Sequence, residues 1–286
     1  MHEFLLAQKC ATVNFRKWTV TPQIWVTAVV IAIFGVWNLG WVLQYSYASG
    51  IRITPWLFPH FFFIPIMQLV YGYLTIVFFA EAPFRDSFSQ FMEVRVGKKV
   101  WIYGQLLYIV EAAFIYVLYY MVISVVMVLP RIYISGEWGK AIEQLCYDRQ
   151  IISSYGIVGG GFSFSADIIE NMTPLQAMFS ALLMLWLVSV WIGVVIFFLH
   201  IVLKKGAGIA LAGFFVFLAY FSNYAGWLMF GNKLFFFSPI NWISMGYLDI
   251  AGRGDLPDML YAISILVVSS VIMGITGVKA YCVNES

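Results

Sequence analysis

Residues 173–203 read TPLQAMFSALLMLWLVSVWIGVVIFFLHIVL, a run that contains no acidic residue, lysine or arginine. About 20 apolar residues in a helix cross a hydrocarbon core of about 30 Å. Pro174 suits the first position of a helix, and Thr173 with Gln176 matches a capping box, in which each side chain bonds the backbone N–H of the other. The run therefore predicts a transmembrane helix over 174–203.

The rest of the chain has the same character. Of its 286 residues, 62% are hydrophobic and 10% are charged, whereas a soluble domain carries about 25% charged residues. Thr21-Pro22 and Thr54-Pro55 mark two further helix starts. We therefore predict a single integral membrane domain over 1–286, of the all-α fold class. Its apolar runs predict six spans, near residues 23–45, 56–80, 100–129, 174–203, 208–230 and 258–280.

The N-terminal stretch MHEFLLAQKCATVNFRKW is too polar for a signal-peptide core, so we expect it to be retained. Phe4, Ala11 and Phe15 recur in it at near-helical spacing. This pattern predicts a helix within 1–22 that lies along the membrane surface. The alternative is a frayed tail. The basic residues beside the apolar positions are Lys9, Arg16 and Lys17.

Basic residues divide unevenly between the two sides of the predicted membrane. Short cytoplasmic loops of membrane proteins carry an excess of lysine and arginine, so the richer side is predicted to be cytoplasmic. Both termini fall on that side, and we expect a multi-pass protein of the cell membrane. The net charge of +2 is too small to indicate a nucleic-acid partner. Ten of the 16 basic residues lie on the richer side: Lys9, Arg16, Lys17, Arg85, Arg95, Lys98, Lys99, Lys204, Lys205 and Lys279.

Two segments on the outer side are long enough to hold structure. In 130–173, the stretch EWGKAIEQLCY has apolar residues at helical spacing, which predicts a short helix resting on the outer leaflet. Residues 232–252 read NKLFFFSPINWISMGYLDIAG. This segment is too apolar for a free loop and too broken by Ser238-Pro239 and Gly246 for a full span. We predict a re-entrant segment there, with its backbone buried by protein.

The largest cytoplasmic loop, 81–99, reads EAPFRDSFSQFMEVRVGKK. Ser87 and Gln90 match a capping box, and the residues that follow recur at helical spacing, which predicts a short helix with one apolar side. That side would face the membrane and the spans, and Asp86 and Glu93 would face water. One interpretation is an anchor whose lysines reach lipid phosphates; the other is a docking site for a cytoplasmic partner. The residues at helical spacing are Phe88, Phe91, Met92 and Arg95, and the basic cluster is Arg95, Lys98 and Lys99.

Active transport needs a source of energy, and this sequence has no phosphate-binding loop of the form GxxxxGK[ST]. Its glycine cluster GIVGGGFSFS, residues 156–165, lacks the lysine and falls on the outer side. The cytoplasmic pieces are each too short to fold as a separate domain. Any ATPase that drives this protein must therefore be a separate chain.

Three segments carry a resemblance to a known family: MHEFLLAQKCATVNFRKW, then FRDSFSQFMEVRVGKKVWIYGQLLYI from residue 84, then Lys233–Asp249. Together they resemble the permease subunits of ABC transporters of the type-2 exporter class, also called type V. The most sequence-like part runs from Gly97 to Gln105. The outer segment 130–173 is longer than in the simplest members of the family, which leaves room for an additional role.

The resemblance implies a surface elbow helix before six spans, a coupling helix between spans two and three, and re-entrant helices between spans five and six. It implies that the coupling helix docks on an ABC ATPase subunit that carries the ATP and Mg²⁺, so this chain holds no cofactor and is not itself an enzyme. A second permease copy or a paralogue completes the pair, which exports an amphipathic peptide, lipid or drug-like substrate. The residues assigned to coupling are Ser87, Phe88, Phe91, Met92, Glu93 and Arg95.

Glu111 is the one acidic residue deep inside a predicted span. A charged, unpaired carboxylate at the bilayer centre costs roughly 3 kcal/mol, so we expect it to face protein or water. Tyr108 and Tyr119 share its helix face, and Gln68 in the second span is the expected partner at similar depth. These four residues form a predicted translocation or gating surface. The alternative is a protonated acid in an interhelical hydrogen bond.

Other chemistry has little support in the sequence. His60 and His200 fall at opposite ends of the bilayer, and no HExxH motif or paired-cysteine spacing occurs, so we expect no metal site. We assign no catalytic residue. The open alternatives are a membrane-embedded enzyme that acts on lipids through Glu111 and outer groups such as Asp148, a non-transporting scaffold, and an ion-coupled carrier. A carrier would show internal repeats or more buried charges.

Overall fold

The structure, a computed structural model, describes residues 2–85, 88–203 and 206–284. These residues are helical apart from connecting segments and a β-bridge between Ile53 and Ile132. The helices of the first half are α1 His2–Arg16, α2 Pro22–Ser49, α3 Pro65–Phe79, α4 Ser89–Val96, α5 Lys98–Val126 and α6 Lys140–Tyr147. Those of the second half are α7 Ile151–Ser154, α8 Ala166–Asn171, α9 Pro174–Val202, α10 Ala207–Phe221, α11 Trp227–Phe230 and α12 Met259–Asn284.

Five of the described helices are long and apolar enough to cross a membrane, so the chain is an all-α, multi-pass membrane protein. Helix α9 lies at the centre, because 61% of its most apolar stretch is buried, against at most 39% in the other four. Helices α3, α5, α10 and α12 pack around it. The five helices are Pro22–Ser49, Lys98–Val126, Pro174–Val202, Ala207–Phe237 and Met259–Val283.

Two of the three proline starts are confirmed. Helix α2 begins at Pro22 and helix α9 at Pro174. The capping box of α9 is complete, since the Gln176 N–H donates to Thr173 Oγ1 (3.4 Å) and the Thr173 N–H donates to Gln176 Oε1 (3.1 Å). Proline therefore costs this helix no hydrogen bond.

The second predicted span, 56–80, is wrong at its start. Helix α3 begins at Pro65, not near Pro55, and has 15 residues, which is about 22 Å of helix. Ile64 is extended (φ −89°, ψ 133°), because the residue before a proline is disfavoured in helical angles. Residues 50–64 therefore form an irregular segment that packs on α5 and α9.

Buried hydroxyl groups join α3, α5 and α9 near the centre of the bundle. Tyr71 donates to the Leu185 carbonyl oxygen (2.8 Å) and makes a second hydrogen bond with Ser189. Thr75 donates to the Tyr71 carbonyl oxygen (2.8 Å), and its oxygen lies 3.3 Å from the hydroxyl of Tyr116, which can donate to it. Polar groups between membrane helices are tolerated where they bond protein, and this network links the three helices at fixed heights.

The two ends of the bundle differ in composition. At one end, which we call the basic end, His200 of α9 lies 2.7 Å from the Ala82 carbonyl oxygen, and Gln23 of α2 donates to Glu81 (3.0 Å). Its described basic residues are Lys9, Arg16, Lys17, Arg85, Arg95, Lys98, Lys99 and Lys279. The opposite end, the loop end, holds 127–173 and 238–258. Its acidic residues are Glu137, Glu143, Asp148, Asp167, Glu170, Asp249, Asp255 and Asp258.

The helix predicted in 130–173 is present as α6, but its predicted place on the outer leaflet is wrong. The apolar side of α6 is buried by protein. Trp138, just before it, is 5% exposed and donates to the Met172 carbonyl oxygen (3.1 Å), and its ring lies 5.1 Å from that of His60. Helices α7 and α8 pack against α6, and the irregular segment 50–64 contacts Trp138 just before it. The buried residues of α6 are Ala141, Ile142 and Leu145.

Residues 238–245 form a buried irregular segment within the region predicted to be re-entrant. Trp242 Nε1 donates to the Phe235 carbonyl oxygen (2.7 Å). Asn241 accepts a hydrogen bond from Asn223 (2.8 Å). Asn223 belongs to a π-helical turn within the apolar helix Ala207–Phe237. Irregular backbone is tolerated at membrane depth only where protein buries it, and this segment meets that condition.

Close backbone contact between α9 and α10 is testable at Gly208. The Cβ of an alanine there would lie 2.6 Å from Ile196 Cα and 2.7 Å from its carbonyl oxygen. Gly208→Ala should therefore lower the free energy of unfolding by about 1–3 kcal/mol, as overpacking does. At Gly213, in the same helix, no atom lies within 4 Å of such a Cβ. Gly213→Ala should therefore raise the free energy of unfolding by up to about 1 kcal/mol, because alanine has the higher helix propensity. Thermal unfolding of the two purified variants measures both changes. Equal free energies of unfolding for the two variants would contradict the close contact at Gly208.

Candidate coupling site at the basic end

The helix predicted within 81–99 is present as α4. It begins at Ser89, later than predicted, with Phe88 at the N-cap position. Ser87, which we assigned to coupling, and Asp86 lie outside the described residues. Gly97 separates α4 from α5 with φ 83°, an angle that glycine adopts at little cost. The chain therefore turns directly from the short helix into the long one.

Helix α4 turns one side to the bundle and another to solvent. Of its predicted apolar side, Met92 is partly buried against the core, together with Val96. Phe88 and Phe91 are instead 53% and 68% exposed, and Val94 is 88% exposed. Single exposed apolar residues are ordinary, but three on one short helix form a patch that a partner can cover. We call Phe88, Phe91 and Val94 the α4 patch.

Tyr281, near the end of α12, ties α4 to two other parts of the chain. Its side chain is 2% exposed, and its hydroxyl donates to Glu93 of α4. The ring stacks on Trp101 of α5 with centroids 5.6 Å apart, and the Arg85 guanidinium carbon lies 4.8 Å from the ring centroid. A charge-assisted hydrogen bond and a cation over the ring both favour one fixed position. We call these four residues the latch.

Helix α1 crosses α5 at Gly104. A Cβ at that position would lie 2.9 Å from the Ala7 carbonyl oxygen, so the helices approach closely only because α5 has no side chain there. Three side-chain hydrogen bonds join α1 and the turn after it to α5, and we call this set the seam. They are Gln8 Nε2 to Glu111 Oε1 (2.7 Å), Asn14 Nδ2 to Gln105 Oε1 (2.8 Å) and Trp18 Nε1 to Tyr108 Oη (2.7 Å).

The packing of α1 differs from that of a helix that lies only on the membrane. Ala11, on its predicted apolar side, is fully buried, and the ring of Phe15 meets that of Tyr108 edge-on at 5.0 Å. Phe4 is 62% exposed. The second half of α1 therefore buries its apolar side against protein, and its first turns keep an apolar residue on the surface.

Glu111 lies nearer the basic end than predicted. Tyr108, one turn earlier, accepts a hydrogen bond from Trp18, which precedes α2. Tyr119, two turns later, donates to the Ala28 carbonyl oxygen in the second turn of α2 (3.1 Å). The carboxylate therefore stands close to the level at which α2 begins. Helix α5 begins well before that level, so a count from its first residue does not give the height of Glu111 relative to α2.

Gln68 is not the partner of Glu111. Its Nε2 donates to the Phe62 carbonyl oxygen (3.0 Å), and its Oε1 is buried without a hydrogen-bond partner among the described residues. It lies in the first turn of α3, at the loop end. The predicted gating surface therefore divides into three places: Tyr108 belongs to the seam, Tyr119 to the contact between α2 and α5, and Gln68 to the loop end.

The seam, the latch and α4 are contiguous. They border one small space between α1, the connection before α4, α4 itself and the start of α5. Close-packed elements transmit displacement, so a movement of α4 reaches α5 by direct contact, α1 through α5 and α12 through Tyr281. Residues that line the space include Cys10, Asn14, Phe84, Phe88, Met92, Trp101 and Gln105.

The residues considered for other chemistry lie apart. Glu111 is near the start of α2, whereas Asp148 lies after α6, close to Tyr45 near the other end of α2. The two carboxylates therefore cannot form one catalytic site. His60 is bonded within the loop end and His200 at the basic end. Over the described ranges, no group of three His, Cys, Asp or Glu side chains could hold a metal ion.

Sequence reasoning missed Tyr281 entirely. It lies 188 residues from Glu93 along the chain, and neither residue belongs to a motif that would pair them. The amide partners Gln8, Asn14 and Gln105 were also missed, although Gly104 and Gln105 lay in the stretch that carried the family resemblance. Comparisons of the chain with protein-family models, with curated proteins and with solved structures found no match.

If Glu111 has a structural role, a substitution that keeps its hydrogen bond should change the free energy of unfolding less than one that removes the bond. Glu111→Gln keeps an acceptor for the Gln8 amide, so the free energy of unfolding should change by less than about 0.5 kcal/mol. Glu111→Leu removes the acceptor and should cost about 1–3 kcal/mol. A double-mutant cycle with Gln8→Ala, followed by thermal unfolding, isolates the pair. Zero coupling energy would show that the two side chains do not interact.

The latch predicts that Tyr281→Phe loosens α4. The substitution keeps the ring on Trp101 and removes the hydroxyl bonded to Glu93, so α4 should open more often. Trypsin cleavage after Arg95 should rise about tenfold, the effect of losing one hydrogen bond of roughly 1.4 kcal/mol. Mass spectrometry of the peptides measures the rate. Tyr261→Phe, which removes a hydroxyl bonded to a backbone carbonyl at the loop end, is the control and should leave cleavage unchanged.

Proposed function

We propose that this protein is the permease subunit of an ATP-driven ABC exporter and that α4 is the helix on which a separate ATPase subunit docks. The observation that carries the proposal is that α4 combines an exposed apolar patch with buried attachments to α5 and α12. A loop that served only as a membrane anchor would not need these attachments. ATP and Mg²⁺ would be bound by the partner, not by this chain.

The distribution of charge supports the orientation that this function requires. Among the described residues, the basic end collects lysines and arginines from α1, from the connection before α4 and from the start of α5, whereas acidic residues collect at the loop end. An excess of lysine and arginine in short loops faces the cytoplasm. The basic end and both termini are therefore placed in the cytoplasm in our proposal, so that α4 meets the compartment that supplies ATP.

The contacts of α4 suggest how movement of an ATPase would reach the membrane. A push on α4 would act on α12 through Tyr281 and on α5 through Gly97 and Trp101. The seam would carry α1 along with α5. Because α9 packs against both α5 and α12, the two outer helices would rock around it. Packed interfaces of this kind switch between discrete arrangements.

The proposal treats α3 as the second of six crossings. With 15 residues, this helix falls short of the roughly 20 that a crossing needs, so the buried segment 50–64 would complete it. Residues 238–245 would be the outer re-entrant segment. A second permease copy, or a paralogue, would form the other wall of a path for an amphipathic peptide, lipid or drug-like substrate.

Docking on the α4 patch predicts that charge placed there releases the ATPase. Phe91→Glu combined with Val94→Glu should reduce the co-purifying ABC ATPase, identified by mass spectrometry, more than tenfold, because a hot-spot residue contributes about 2 kcal/mol or more. Val158→Glu is the control, since Val158 is 89% exposed at the loop end, much like Val94 at 88%. Unchanged ATPase in the double variant would overturn the docking proposal.

A further inference from the structure

A glycine-rich segment at the loop end, residues 156–161, covers one side of the second half of α2. We call it the glycine loop. A Cβ at Gly160 would lie 2.9 Å from Trp41 Cδ1 and 3.3 Å from Trp41 Nε1. A Cβ at Gly161 would lie 3.5 Å from Asn38 Oδ1. The backbone of the glycine loop therefore lies directly on these two side chains of α2.

The glycine loop covers two polar atoms of α2 that have no hydrogen bond. Asn38 and Trp41 are both buried, at 0% and 4% exposed. Asn38 Nδ2 donates to the Phe34 carbonyl oxygen (2.8 Å), but Asn38 Oδ1 and Trp41 Nε1 have no partner among the described residues. A buried polar atom without a partner is costly, and water can bond it only when its cover is lifted. Both atoms therefore favour an open glycine loop.

Arg149, between α6 and α7, opposes this opening. Its Nη2 donates to the carbonyl oxygens of Gly160 (2.9 Å) and Phe162 (3.2 Å). The ring of Phe162 is buried with its centroid 6.4 Å from that of Trp41, which fixes one end of the glycine loop. At the other end, Gly156 has φ 68°, an angle that glycine adopts at little cost. The segment between these two ends can thus move while the ends stay in place.

We propose that the glycine loop is a lid that opens and closes over the second half of α2, and that Arg149 is the group that holds it closed. Hydrogen bonds to Arg149 favour the closed lid, and the unbonded atoms of Asn38 and Trp41 favour the open one. Opposed contributions of this kind give a segment that opens locally while the rest of the protein stays folded. The open lid exposes one N–H donor and one carbonyl acceptor on α2. This inference goes beyond the proposed function, since it needs no ATPase.

Opening of the lid can be measured with a cysteine placed beneath it. A Cβ at Gly159 would lie 2.7 Å from Ile152 Cδ1, and Ile152 is 7% exposed. Ile152→Cys therefore places a thiol that a reagent reaches when the lid is open. We would measure its rate of alkylation by mass spectrometry, with the full chain in lipid nanodiscs and no ATPase present. Chymotrypsin cleaves after Tyr147, which separates this thiol from Cys146.

The first variants, made like all those below in the Ile152→Cys background, test Arg149. Arg149→Met keeps most of the apolar stem and removes both bonds to the glycine loop. Alkylation should become about tenfold faster, the effect of at least one hydrogen bond. Arg253→Met is the matched control, because Arg253 is an exposed arginine of the loop end that bonds Asp167 of α8 (2.6 Å). It should leave the rate unchanged, and equal rates in the two variants would overturn the proposal.

Substitutions at Asn38 test the opposite contribution. Asn38→Leu keeps a branched side chain of similar size and removes the unbonded carbonyl oxygen, so alkylation should become about tenfold slower. Asn38→Asp places an unpaired carboxylate beneath the lid, which is costly to bury, so alkylation should become more than tenfold faster. An unchanged or faster rate in Asn38→Leu would show that Oδ1 does not favour opening, and would overturn the proposal.

Two further comparisons show whether the lid moves alone. Gly160→Ala places a Cβ 3.2 Å from the Trp37 carbonyl oxygen, so the lid should close less well and alkylation should be about tenfold faster. Gly136→Ala, where no atom lies within 4 Å of the new Cβ, is its control and should change nothing. Cys10, which is 2% exposed between α1 and α5, is an internal reference. Parallel changes at Cys10, or equal rates in the two alanine variants, would overturn the proposal.

Discussion

Helix α9, which is apolar on all its sides, is the centre of the bundle. A helix that is hydrophobic all round is a core helix or a membrane span, and α3, α5, α10 and α12 surround this one. Between membrane helices, close packing and hydrogen bonds provide the attraction that water would provide in a soluble protein. Gly208 gives α10 its close approach to α9, and the hydroxyl groups of Tyr71 and Ser189 bond α3 to it. The central helix is thereby held by its neighbours at several heights.

Polar side chains join separate elements at both ends of the bundle. The centre of the bundle holds a compact network of hydroxyl groups, whereas carboxylates, amides and a guanidinium appear where α1, α4, α5 and α12 meet. Hydrogen bonds to charged groups are stronger than neutral ones. At the basic end, such directional contacts hold the short helix α4 and helix α1 against the long helices.

Sequence patterns predicted the class of the protein, the starts of α2 and α9, the presence of α4 and α6, and the buried irregular segment near 238–245, because these depend on local composition and on proline chemistry. They failed where the outcome depends on distant residues. Helix α3 begins at Pro65 and not near Pro55 because residues 50–64 pack against protein in an irregular conformation. The depth of Glu111 depends on where α5 begins relative to α2. The pairing of Glu93 with Tyr281 depends on the return of the last helix to the basic end.

The helices begin at different heights along the bundle, and this difference separates α4 from the starts of the other helices. Trp101, where α4 and α12 meet α5, precedes Tyr108, the contact of α5 with the turn before α2, by seven residues, which is about 10 Å of helix. In the proposed orientation, α4 therefore stands clear of the plane in which α2 and α3 enter the bilayer. A soluble protein could hold α4 without colliding with lipid headgroups, and lipids could diffuse beneath it while it stayed attached.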